Sequence, residues 1–218
     1  MLHRQLETEV MDSAEEAHDY DAMDHSAVNQ LFAADFLAVW DGSNPILDVG
    51  TGTAQIPIEI CRQDPRPIIT AIDLAAEMLK LGQRNIDAAG LAERVTLQQV
   101  DAKAFPFADG SFAAVISNSI VHHIPDPTPV LAEIVRVCQP GGVIFVRDLL
   151  RPPGPNTLRR LVEVYAADAN EHQRQLFAVS LHAALTLEEV RALVASLGFS
   201  ADTVQDTSDR HWTWVARR

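Results

Sequence analysis

Fifteen residues, ILDVGTGTAQIPIEI at positions 46 to 60, constrain this chain more than any other stretch. A short apolar run from Ile46 to Val49 enters a turn containing Gly50 and Gly52, and the residues beyond have helical spacing. Glycine at those positions permits backbone angles and close approaches that a Cβ obstructs. The turn can therefore aim backbone N–H groups and a helix N-terminus at a polar ligand. A tight strand-to-helix connection with no ligand is the alternative that the turn alone leaves open.

The same grammar repeats downstream. Short apolar runs at Ile46 to Val49, Ile68 to Ile72, Val95 to Gln98, Ala113 to Ser117 and Val143 to Val146 read as strands. Helical patterns lie between them near Ala54 to Cys61, Ala75 to Ala89 and Pro129 to Val137, each long enough for a right-handed crossover. The expected fold is a Rossmann-like, doubly wound α/β sheet, mostly parallel. Upstream, Val28, Leu31, Phe32, Phe36 and Val39 recur at helical spacing, and Asp41, Gly42 and Pro45 stop that helix. The first two dozen residues have weak periodicity and are expected to form an irregular arm.

Beyond the fifth strand, RPPGPN opens a helical interruption from Arg151 to Leu185, read as an inserted cap. Thr186 and Glu189 form a capping box, Leu185 and Val190 its hydrophobic staple, and Gly198 a stop. Runs at Ala201 to Gln205 and Trp212 to Ala216 are expected to close the sheet as an antiparallel hairpin, with Trp212 and Trp214 on one face. The whole of 1–218 reads as one domain, with an arm and helix over 1–41 and the cap over 151–185.

Charge narrows the partners. The chain has 17 Lys and Arg against 30 Asp and Glu, a formal net charge of -13, and the first 41 residues hold ten of the acids against the single base Arg4. Such a field disfavours nucleic acid and anionic membranes and suits a neutral or cationic small molecule. The two cysteines, Cys61 and Cys138, lack metal or CxxC spacing. No run approaches the roughly 18 apolar residues of a membrane span. Nor does the start of the chain have the apolar stretch of a signal peptide, so a cytoplasmic chain is expected. The amphipathic segments at Val28 to Trp40 and Leu187 to Leu197 read as core or dimer surfaces, which leaves a homodimer open.

Two acids give the glycine turn a ligand. Asp73 ends the second strand, 21 residues past Gly52, where a carboxylate can accept both hydroxyls of a ribose. Asp101 and Ala102 follow the third strand, where an acid can accept an adenine amino proton. Each aspartate alone reads more often as a helix or turn cap. Together, at successive strand ends, they favour an adenosine site.

The ordered set LDVGTGTA, AIDLAAEMLKLGQRN, DAKAFPFADGSFAAVISNSIVHHI and LAEIVRVCQPGGVIFVRD resembles the class I S-adenosylmethionine-dependent methyltransferases, in particular the small-molecule branch of ubiquinone and menaquinone enzymes. The resemblance implies methyl transfer from S-adenosyl-L-methionine to a small-molecule acceptor, with no metal. It implies that Asp48, Gly50, Thr51 and Gly52 surround the methionine part of the donor. Asp73 would bind the ribose, Leu74 and Met78 flank the sugar or adenine, and Asp101 and Ala102 hold the adenine edge. Asn118 and Ser119 would line the donor, and Pro140, Gly141 and Gly142 form a turn before strand five. Tyr20 and His25 belong to an N-terminal segment that covers the donor in such enzymes, with Tyr20 as the contact. Ala54 stands at the family's third glycine position, and Ala113 replaces the acid of its DGSFD pattern.

A nicotinamide-binding enzyme and a non-catalytic donor-binding or protein-interaction module are the competing readings. His122 and His123, just past the fourth strand, are the candidate catalytic residues, since an imidazole can take a proton from an oxygen or nitrogen nucleophile, although each alone reads more often as capping the Pro-rich turn or packing over the donor. Arg147 and Asp148, at the end of strand five, read either as acceptor-positioning groups or as a local ion pair. Tyr165, His172, Arg174 and Phe177 lie in the cap expected to select the acceptor.

Overall fold

The computed structural model describes residues 2–6, 14–23 and 25–218, apart from the side chains of Glu16 and Tyr20. Among them seven strands share one sheet in the order β3-β2-β1-β4-β5-β7-β6. These are β1 (Ile46–Val49), β2 (Ile69–Asp73), β3 (Val95–Gln99), β4 (Phe112–Asn118), β5 (Cys138–Leu149), β6 (Val204–Asp206) and β7 (His211–Arg217). β1 pairs in parallel with β2 and with β4, and β2 in parallel with β3, while β6 and β7 are antiparallel. The chain gathers into two compact units.

The first unit comprises Val10–Asn118, Pro129–Val146 and Ala216–Arg218. All four residues of β1 are buried, which explains its unbroken apolar run between two parallel neighbours. The helices here are α1 (Ala14–Asp21), α2 (Ser26–Val39), α3 (Gln55–Gln63), α4 (Ala76–Ala89) and α5 (Thr128–Val137), whose first residue belongs to the second unit. Phe32 and Phe36 of α2 set their rings edge-on to Phe145 of β5, at centroid separations of 5.1 and 5.9 Å. β1 is the strand beside which the order reverses, from β2 on one side to β4 on the other. Ligands of open α/β sheets gather at the carboxyl ends of the strands at such a reversal.

The second unit comprises Met1–Glu9, Ser119–Thr128 and Arg147–Val215. It holds a short 3-10 turn at Val121–His123, then α6 (Pro155–Tyr165), α7 (Glu171–Ala183) and α8 (Leu187–Ser196). Leu158, Leu161, Leu181 and Ala184 bury against Leu149, with Leu2 packed on the same cluster. The reciprocal capping box of Thr186 and Glu189 starts α8, and Asn170 with Gln173 builds a second one at α7.

Three expectations need correction. Part of the arm read as irregular, Ala14 to Asp21, is helical: Ala17 is fully buried against Ala75, Met78 and Leu81, so packing supplies what a polar eight-residue sequence lacks. Pro140, Gly141 and Gly142 do not precede β5 but lie within it, with Gly141 at φ 79°. The segment read as a strand from Ala201 begins as a 3-10 turn over Ala201–Thr203, and only Val204–Asp206 pairs with β7. Trp212 and Trp214 are both buried.

Candidate functional site

In the first unit the glycine turn is held from below by β2. The N–H groups of Gly50 and Thr51 both donate to the Ile72 carbonyl, at 2.8 and 2.9 Å. Gly52 N–H donates to Asp73 Oδ2 at 2.7 Å, and Ala75 N–H to Asp73 Oδ1 at 2.9 Å. Asp73 thus caps the start of α4, as the turn-cap reading has it, and also ties the glycine turn to it, which its position in the sequence did not reveal. Gly50, Gly52 and Ala54 have φ of 74°, 55° and 63°; a glycine at either of the first two positions takes this left-handed conformation without steric cost.

Four buried polar atoms around the turn have no hydrogen-bond partner: Asp48 Oδ2, Thr51 Oγ1, Thr53 Oγ1 and Asn118 Oδ1. Asp48 ends one residue before the end of β1, and Asn118 ends β4, on either side of the point where the strand order reverses. Register supports the proximity: Asp48 is opposite Ile116 and Val49 opposite Ser117, whose hydroxyl donates to the Val49 carbonyl at 2.8 Å. Buried polar atoms are ordinarily paired, so such a group marks a place for a polar ligand or for ordered water. Burial, reinforced by the negative charge of Asp73 and partly offset by a nearby Thr51 hydroxyl that stops short of hydrogen-bond geometry, pushes the Asp48 carboxyl up to about 7. A cation beside it would recover that cost.

The other residues expected around the donor have mixed placements. Leu74 is exposed and Met78 is buried in the cluster with Ala17. Asp101 is exposed, and its Oδ1 accepts Lys103 N–H at 2.9 Å as a turn cap, with Ala102 half-buried beside it. Donor contact through Tyr20 rests on a side chain outside the described residues. His25 precedes α2, its carbonyl accepting Asn29 N–H. Sequence reasoning missed a hydrogen-bonded chain over this region: Asn29 donates to Gln55, Gln55 and Asn85 both donate to Asp21, and Asn85 also donates to the Thr53 carbonyl.

In the second unit Ser119 follows β4 at φ 59°, its N–H donating to the Arg147 carbonyl. His122 is buried and its Nδ1 lies 2.5 Å from Asp148 Oδ1. The neighbouring His123 ring is tilted against it with centroids 4.1 Å apart. Burial raises the Asp148 carboxyl, but the charge and hydrogen bond of His122, with the Leu149 N–H and His123, outweigh it and hold the pKa below the usual range. Arg147 donates to Thr213 Oγ1 at 2.9 Å. Within the cap, Tyr165 donates to Asp209 and lies under the Arg210 guanidinium, and Arg174 caps the end of α6 through the Ala166 carbonyl. Among the described residues no group of three His, Cys, Asp or Glu is placed to hold a metal.

Residues 47–146 match the methyltransferase domain family. The ubiquinone/menaquinone biosynthesis C-methyltransferase UbiE of Geotalea daltonii is 34% identical over 108 residues, covering 49% of this chain and 46% of that protein. UbiE of Geobacter sulfurreducens is 28% identical over 185 residues, covering 80% and 70%. This chain therefore spans about half the length of the first of these relatives. A crystal structure of a SAM-dependent methyltransferase from Aquifex aeolicus superposes with a TM-score of 0.70 at 16% identity, covering 94% of this chain and 97% of that one. By strand order, by the domain matched over residues 47–146 and by these relatives, the chain has the class I S-adenosylmethionine-dependent methyltransferase fold.

Proposed function

We propose that this chain transfers the methyl group of S-adenosylmethionine to a small-molecule acceptor. The observation that carries this reading is the set of four unpartnered buried atoms, on Asp48, Thr51, Thr53 and Asn118, gathered at the glycine turn that Asp73 tethers. The donor, when bound, supplies a sulfonium with an already activated methyl group. Asp48 offers a buried carboxyl that a cation would ionise. Asp73, the carboxylate at the end of β2 that tethers the turn, suits ribose hydroxyls, while Leu74 and the Asp101–Ala102 turn offer an apolar face and a polar edge for adenine. His122 or His123 removes a proton from the acceptor.

The relatives act as named in quinone biosynthesis, which favours a small, uncharged ring acceptor. The net charge of -13 also opposes a phosphate-backbone partner. No helix of the described residues is long and apolar enough to cross a membrane. Incubating the protein with methyl-labelled donor and a cell extract tests the reading. Label is expected in molecules that pass a small-solute filter. Label only in RNA or protein would overturn the acceptor class, and donor binding without any transfer would favour the non-catalytic module.

A further inference from the structure

Four helices of the first unit send polar side chains to one point beside the glycine turn. Asp21 closes α1, Asn29 lies on α2, Gln55 opens α3 and Asn85 lies on α4. Gln55 Nε2 donates to Asp21 Oδ1 at 3.1 Å, and Asn85 Nδ2 donates to the same oxygen at 3.0 Å. A carboxylate only accepts, so both amide groups must turn their nitrogens toward it. Gln55 is left with its oxygen facing Asn29, whose Nδ2 donates to it at 3.1 Å. One acidic side chain thus sets the direction of each of these bonds.

The network brackets a strained residue. Asn85 also donates to the Thr53 carbonyl at 3.1 Å, and Gln55 is the residue after Ala54. Ala54 is fully buried and has φ 63°, a left-handed conformation in which an L side chain crowds its own backbone. Such a conformation persists where the surrounding structure over-determines it. Within the turn, Ala54 N–H donates to the Thr51 carbonyl at 3.0 Å. From outside, α4 packs closely on the same residues: a Cβ on Gly82 would stand 3.3 Å from the Thr53 carbonyl carbon and 3.4 Å from Ala54 Cβ. Asp21 holds Gln55 directly and Thr53 through Asn85, one on either side of Ala54.

We propose that Asp21 is a positioning residue for the donor: through Gln55 and Asn85 it holds Thr53, Ala54 and Gln55 in the left-handed turn that the donor meets, and so couples the order of α1 to donor affinity. The inference rests on the methyl-transfer reading above, because that reading identifies the ligand of the turn. Asp21 acts on the shape of the turn and not on the donor itself. Ala17, buried against Ala75, Met78 and Leu81, seats α1 on α4 and brings Asp21 within reach of Asn85. Coupling of this kind is reciprocal. The factor by which an opened α1 weakens the donor is the factor by which bound donor protects α1 from opening.

Calorimetric titration with the demethylated product of S-adenosylmethionine reads the turn in folded protein. Asp21→Ala is expected to weaken binding by about tenfold and Asn85→Ala by about fivefold. The double variant is expected to lose no more than about twofold beyond Asp21→Ala, because both changes break one network. A purely structural Asp21 would lower the melting temperature and leave the affinity of the folded protein unchanged, and that result would overturn the proposal. Losses that simply multiply in the double variant would overturn it too. Hydrogen exchange of the full wild-type chain needs no variant. Saturating product is expected to slow exchange across Ala14 to Asp21 by about tenfold, and product that binds without altering that segment would contradict the coupling. Wild-type protein that binds no product would count against the methyl-transfer reading. Exchange without ligand then still decides the network: Asp21→Ala is expected to speed it at the Ala54 and Ile58 N–H groups, which bond to the Thr51 and Ala54 carbonyls. Unchanged rates at both would show that Asp21 does not hold the turn.

Discussion

At the scale of single residues, Asp48 is the most consequential group in the donor turn. Its folded pKa, about 7, lies above the roughly 4 of an unfolded aspartate. Between those values the unfolded state loses a proton that the folded state keeps. Stability is therefore expected to fall as pH rises through that window, by an amount on the order of a few kcal/mol. A cationic donor reverses the preference by favouring the carboxylate. Donor binding at pH 6 should release a proton, and affinity should rise toward pH 8. Calorimetric titration in two buffers of different ionisation enthalpy measures this directly, and Asp48→Asn should abolish the release. Gly142 makes a different residue-scale point, because a Cβ there would stand 2.8 Å from the Ala113 carbonyl oxygen and 2.8 Å from Cys138 Sγ. Gly142→Ala is expected to cost about 1–3 kcal/mol in chemical denaturation.

At the scale of elements, the parallel core was legible because its central strands β1 and β4 are buried on both faces and all four runs are bounded by breakers. β1 begins and ends where the apolar run does, and β2, β3 and β4 differ from the expected limits by a residue or two at most. α1 was not legible. Its eight residues, AEEAHDYD, have almost no apolar face, and the helix is stabilised by one buried alanine and by Asp21, which accepts from Gln55 and Asn85 at 3.1 and 3.0 Å. Asp21→Ala is accordingly expected to speed hydrogen exchange across Ala14 to Asp21 while leaving β1 and β4 protected, at a global cost of about 1 kcal/mol. Equal protection of α1 in variant and wild type would show that the alanine contact alone suffices. β5 was read short because Pro-Gly-Gly signals a turn, whereas here the strand carries those residues through with Gly141 in a left-handed conformation. Of the candidate site, the glycine turn and Asp73 at the end of β2 were visible as local spacing. The His122–Asp148 contact was not, since nothing in local spacing links positions 26 apart.

At the scale of the whole molecule, a strand order that reverses beside β1 brings the carboxyl ends of β1 and β4 together, and the sequence supplies those ends with polar atoms that lack protein partners. A fold of this kind hosts more than one chemistry, so the function rests on what those atoms bind. Calorimetric titration of the full chain with S-adenosylmethionine and with its demethylated product tests that most directly. The account predicts saturable one-to-one binding of both, weakened at least about tenfold in Asp73→Ala, which removes both the tether of the glycine turn and a charged acceptor for the ribose. Folded wild-type protein that gives no saturable heat with either compound would contradict it.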